Sequence, residues 1–156
     1  MDTVTATNII RDELRDHLED PYVLAGGRSR GGLWIFTDDP RLDATFPRIQ
    51  IKKATNTNQV LTIGPEYFDH ERLFLDLTVF VKDGFKVVIN GETYKNEQLV
   101  DYIQGDIKKV LKSRFSSLQD KGVGGFRNIS TSDIGFDKDT HLYFGSVTVR
   151  VWFFWR

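Results

Sequence analysis

One stretch limits the fold more than any other: Lys95 to Phe115, KNEQLVDYIQGDIKKVLKSRF. Leu99, Ile103, Ile107, Val110 and Leu111 recur at steps of three and four, the period that lines side chains along one helical face. A rod with one apolar stripe must lay that stripe on another apolar surface. Asn96 offers the short polar side chain of an N-cap. Lys108, Lys109, Lys112 and Arg114 gather in the last turns, where cations suit the negative end of the helix dipole. Gly105 interrupts the pattern at a cost of about 1 kcal/mol against Ala and predicts close approach of another backbone. Strand-like segments flank the helix on both sides, so it is expected to be the rod they pack against.

The segments before it read in order. Thr3 to Glu19 predicts a first helix, with Ile10, Leu14 and Leu18 on a thin apolar stripe, Ile9 and His17 beside it, and Arg11, Asp12, Glu13, Arg15 and Asp16 on the opposite side. Pro21 ends it. Leu24 to Gly32, LAGGRSRGG, is expected to be a surface loop; a phosphate cradle would need a Gly-Lys-Ser/Thr ending that it lacks. LWIF at 33–36 predicts a short strand, and Asp38, Asp39 and Asp43 fall in an acidic connection without the spacing of a calcium loop. RIQIKK at 48–53 alternates, with Ile49 and Ile51 inward. Ala54 to Gln59 reads as a polar turn, with a further short strand from Gln59 to Ile63.

LFLDLTVFVK at 73–82 is a strong strand. Leu73, Leu75, Leu77, Val79 and Val81 share one face, and Phe74, Asp76, Thr78 and Phe80 the other. Asp83–Gly84 and Asn90–Gly91 are hairpin signals, so three antiparallel segments are expected before the long helix. After it, Ser116 to Gly125 reads as a loop, Phe126 to Phe136 as an irregular strand, and His141 to Trp155 as the last strand. Val147, Val149, Val151, Phe153 and Trp155 form its core face. The opposite face runs from Ser146 and Thr148 through Arg150 to Trp152 and Phe154. Exposing Trp152 and Phe154 together is costly, so the first helix or a neighbouring subunit should cover them. Runs of strands broken by few helices predict an α+β fold: a mostly antiparallel sheet packed against one long and one shorter helix. A single domain over residues 1–156 is expected, with the N-terminal helix in 1–20, strands and hairpins in 33–95, the main helix in 96–115 and C-terminal strands in 126–155.

Chemistry is sparse. There is no Cys, which removes disulfides, thiolate catalysis and thiolate metal sites. His17, His70 and His141 have no metal-ligand spacing. Asp69, His70 and Glu71 are adjacent and expected in a solvated turn; Asp133, Asp137 and Asp139 fall short of a calcium ligand set. The GVGG run near Gly125 lacks the strand and helix of a dinucleotide fingerprint. No catalytic, cofactor-binding or metal-binding residue is expected. With 21 basic and 22 acidic residues the net charge is −1, so no global field draws nucleic acid or an anionic membrane. A local alternative is a nucleic-acid-binding module using the basic helix end, Lys108, Lys109, Lys112, Arg114 and Lys121, with Arg28 and Arg30. No apolar run is long enough to span a bilayer, and the acidic, polar N-terminus is unlike a signal peptide.

The element order resembles the tail terminator and tail-completion proteins of tailed viruses. The resemblance covers most of the chain: the charged first helix, the glycine-rich loop, RIQIKK, LFLDLTVFVK, FKVVINGETY, the long helix, FRNISTSDIGFD and the closing HLYFGSVTVRVWFFW. It implies a non-enzymatic virion protein without cofactors, made in the host cytoplasm. Such subunits form a ring, typically a hexamer, at the head-proximal end of the tail tube, end tube growth and join it to the head connector at the neck. DNA would pass through without specific binding. Trp152, Phe154 and Arg150, with Arg28 and Arg30, are the candidates for subunit contact.

Overall fold

The computed structural model describes residues 2–28, 34–37, 45–63, 66–124 and 129–155, with side chains for all of these except 55–63, 66–72 and 153–155. The fold is α+β. Helix α1 (Thr3–His17) starts at Asp2, whose carboxylate accepts from the Thr5 N–H at 2.7 Å, the bond an N-cap supplies. A single turn, α2 (Pro21–Leu24), follows, then strands β1 (Ile35–Phe36), β2 (Arg48–Ile63) and β3 (Glu66–Lys82). A small hairpin, β4 (Lys86–Ile89) and β5 (Glu92–Lys95), leads into α3 (Glu97–Ser113) and α4 (Phe115–Asp120). The chain closes with β6 (Val123–Gly124), β7 (Ser130–Thr131), β8 (Gly135–Asp137) and β9 (Leu142–Trp155).

The main sheet runs β1-β2-β3-β9, and the far edge of β9 is taken by β6, β7 and β8. Every pairing in it is antiparallel except β1 with β2. Because strand side chains alternate, one face carries Ile49, Ile51, Leu73, Leu75, Leu77, Val79, Val81, Val147, Val149 and Val151, all buried. The stripe of α3, Leu99, Ile103, Ile107 and Leu111, is buried against this face, and Ala6, Ile10 and Leu14 of α1 join the same core. Each such aliphatic side chain contributes about 1.5–3 kcal/mol through burial.

Several expectations are corrected. Residues 54–59 are not a turn. β2 runs straight through them, with one register irregularity between Lys53 and Thr55. Pairing along the whole of β3 outweighs the weak strand preference of that polar run, and a bulge absorbs the extra residue. Asp69, His70 and Glu71 consequently lie in strand β3, in register with β9 on one side and β2 on the other. The chain leaves the sheet after Asp83–Gly84 instead of returning along β3: both edges of β3 are already taken by β2 and β9, and β4 pairs only with β5. Asn90 and Gly91 turn that hairpin with φ of 51° and 84°, as a type I′ turn requires. The stretch after the long helix is not a plain loop, because Leu118 is buried and anchors α4. Of the irregular strand expected over 126–136, residues 129–136 are described, and strand within them is β7 and the start of β8.

The helix also differs in detail. Asn96 does not cap α3; its own φ is 52°, and its side chain accepts from the Gly84 N–H at 3.0 Å, tying the helix start to the end of β3. Gly105 is not a close-approach site, since a Cβ there meets nothing within 4 Å. The tight approach is made by the sheet. A Cβ on Gly145 would sit 2.6 Å from Gln104 Nε2 and 3.0 Å from Val100 Cγ1, so this glycine in β9 lets α3 lie close to the strand. There Gln104, itself buried, donates to the Ser146 carbonyl at 3.2 Å.

Candidate functional site

Two groups of polar residues lie on the helical side, and both bear on the sequence reading. Glu13 faces inward, contrary to its place in the charged set of α1. It is 1% exposed and takes a hydrogen bond from Arg114 Nε at 2.6 Å and one from Lys121 Nζ at 2.5 Å, with His17 Nε2 at 3.6 Å. Burial pushes its carboxyl up, but hydrogen bonds from Lys121, Arg114 and Ser117 and the charge of Lys121 outweigh that, and its pKa falls to about 2. Such charge-assisted bonds are the strong ones, and they fasten α1 to the α3–α4 junction. Arg114 and Lys121 are therefore engaged inside the subunit, and the basic helix end is thinner than its sequence. Lys109 lies 3.8 Å from Asp106; Lys108 and Lys112 complete what is left.

Arg28 is likewise committed. Its guanidinium lies over the Tyr22 ring, 5.3 Å from the centroid, donates to the Pro47 carbonyl at 3.0 Å, and pairs with buried Asp20 at 3.2 Å. Burial raises the Asp20 carboxyl and lowers the Arg28 guanidinium, so each partner is held against a desolvation cost. Arg30, Asp38, Asp39 and Asp43 lie outside the described residues, as do the side chains of His70 and Phe154. Asp137 accepts from the Asp139 N–H at 2.9 Å, closing a local turn. Among the described residues no group of three or more His, Asp or Glu could hold a metal ion, and no helix is long and apolar enough to cross a membrane.

The other candidates, Arg150 and Trp152, lie on the sheet face opposite the helices. Register aligns that face in rows across three strands: Arg48, Phe80 and Phe144; Gln50, Thr78 and Ser146; Lys52, Asp76 and Thr148; then Phe74 and Arg150. The middle rows are each bonded across the strands. Thr78 and Ser146 hydroxyls lie 2.9 Å apart, Thr148 donates to Asp76 at 2.7 Å, and the Ser146 N–H donates to the Ser132 hydroxyl at 2.8 Å.

Both ends are different. At one end, Arg150 stacks over Trp152 at 4.9 Å and Phe74 at 5.8 Å. At the other, Arg48 stacks over Phe46 at 4.4 Å, and Phe144 lies across Gly135, where a Cβ would come within 2.6 Å of the ring. Cation–π contact favours these poses. The Nε atoms of Arg48 and Arg150 are shut off from solvent without an acceptor among the described residues. Burial lowers the Arg48 guanidinium. Phe144 remains 37% exposed. Among the described residues no helix covers this face. Sequence alternation places Arg48, Phe74 and Phe80 only as outward positions and does not single out Phe144. Their meeting depends on β9 lying next to β3, and no local pattern encodes that neighbour.

A second feature was not legible at all. The β4–β5 hairpin and the first turns of α3 enclose an open notch of about 530 Å³, lined by Glu92, Thr93, Tyr94, Gln98, Asp101 and Tyr102. The Tyr94 and Tyr102 rings lie 4.8 Å apart, and the Tyr94 hydroxyl donates to Glu92 at 3.0 Å. Among the described residues that line it, the charged ones are both carboxylates.

No protein-family model matches the sequence, and a search of curated proteins returns no match.

Proposed function

We propose that this chain is a structural subunit of a tailed virus, assembling as a ring at the head-proximal end of the tail tube. There it ends the tube and meets the head connector. The sequence resembles tail-terminator proteins in the order of its elements, and that resemblance implies a ring that is typically a hexamer. The observation that carries the reading is the one-sided sheet. Helices bury one face, while the other presents stacked arginines and aromatic rings with no covering element among the described residues. Side chains of that kind are enriched at the centres of protein interfaces. A ring further needs two different complementary surfaces on each subunit. The work is done by surfaces, with no reaction performed, and a net charge of −1 suits a conduit that lets DNA pass.

Light scattering across concentration, with the chain alone and mixed with tail tubes from its virus, tests this. A closed ring or capped tubes is the expected result. A chain that stays at 18.0 kDa throughout and ignores the tubes overturns it.

A further inference from the structure

The reading above requires a second surface, and the structure holds one of matching chemistry. Among the described side chains, the open sheet face carries Arg48, Lys52 and Arg150 and one carboxylate, Asp76, which accepts from Thr148. The notch beside β5 carries Glu92 and Asp101 around two tyrosine rings, with no Lys or Arg among the described residues that line it. One surface offers the guanidinium groups of Arg48 and Arg150, each laid over an aromatic ring. The other offers carboxylates and aromatic rings, which together receive cations.

We infer that the occupant of the notch is a second copy of this chain, docked through the cationic, aromatic face of its sheet. This rests on the assembly reading and names its two contact surfaces. The notch is built by α3 and β5 in the helical layer, and the cationic face lies on the opposite side of the sheet. A contact between them is heterologous: it uses one surface from each copy and leaves the other free. Such contacts do not stop at a pair; they propagate until the rotation closes a ring. Charge opposition sets the register and disfavours sheet-to-sheet pairing, which would place Arg48 and Arg150 against the same cations of another copy.

The test uses two charge-reversed chains, Arg150→Glu and Asp101→Lys, with sedimentation velocity as the readout. Lys52→Glu and Glu92→Lys, both at exposed positions, replace them if either fails to fold by circular dichroism. Each variant alone should lose self-association by about tenfold or more. Mixed together, they should recover association, because the intact notch of one takes the intact sheet face of the other, and at the remaining pair of surfaces the two reversed charges are again of opposite sign. If the notch variants assemble like wild type while the sheet variants do not, the notch is overturned and the ring reading stands. If both sets assemble normally, the docking is overturned. If wild type never assembles, alone or on tubes, the ring reading falls and this contact with it. Binding of a fluorescent oligothymidine by wild type, lost in Arg150→Glu, would instead assign the cationic face to single-stranded nucleic acid and overturn the proposal.

Discussion

The two faces of one sheet are built from the same three strands and differ in nearly every other respect. The aliphatic side chains of the inner face are buried, and α3 meets that face across Gly145. The outer face alternates with it residue by residue, yet carries arginines on aromatic rings at both ends and a bonded polar band between them. Folding is driven by the first set. The second contributes little to it, because its side chains keep part of their contact with water. A sheet that stabilises itself on one side is free to use the other for recognition.

Substitutions should separate the faces. Leu77→Ala, fully buried between strands and helices, should lower stability by about 2–5 kcal/mol in a denaturant melt. A loss below about 1 kcal/mol would mean the inner face is not the main source of stability. Glu13→Gln removes the charge that fastens α1 to α4. Arg114 and Lys121 are 36% and 48% exposed, so water takes over part of the lost bonding, and the expected cost is about 1–3 kcal/mol.

The same carboxylate gives a pH dependence of fixed sign. Its folded pKa, about 2, lies below its ordinary value of 4.5. Its contribution is therefore complete above 4.5 and lost as pH falls from there towards 2. Glu13→Gln should remove that part of the acid transition, read as a flatter fall of melting temperature over this range.

Smaller effects sharpen the contrast. Phe144→Ser on the outer face, where the ring is 37% exposed, should cost about 1–2 kcal/mol, less than Leu77→Ala, while weakening self-association. Equal effects on folding and assembly would erase the distinction between the faces. Gly105→Ala, in a helix position where a Cβ meets nothing, should raise stability by up to about 1 kcal/mol. A loss would show that something approaches the helix there.

Periodicity made much of this fold legible. The stripe of α3, the alternation of Leu73 to Val81 and the Asn90–Gly91 turn each depend on neighbours a few residues away. What stayed hidden depends on partners far along the chain. The continuation of β2 through Thr55 and Thr57 is set by the strand beside it. Glu13 looks like a solvated helix residue until Arg114 and Lys121 arrive from some hundred positions away. The glycine that matters for helix packing is Gly145, on the strand, and an isolated Gly105 gave the wrong signal. Of the candidate interface, Trp152 and Arg150 were visible from the aromatic strand end; Arg48, Phe74 and Phe144 became part of it only through register. The notch needed the hairpin and helix placed together.

The most direct measurement is residue-level hydroxyl-radical footprinting of the wild-type chain, dilute and concentrated. Phe144 and Trp152 should become protected as concentration rises, while Val4, 67% exposed at the start of α1, keeps its reactivity. Unchanged reactivity of Phe144 and Trp152 in an assembled sample would contradict the claim that copies meet through the outer face of the sheet.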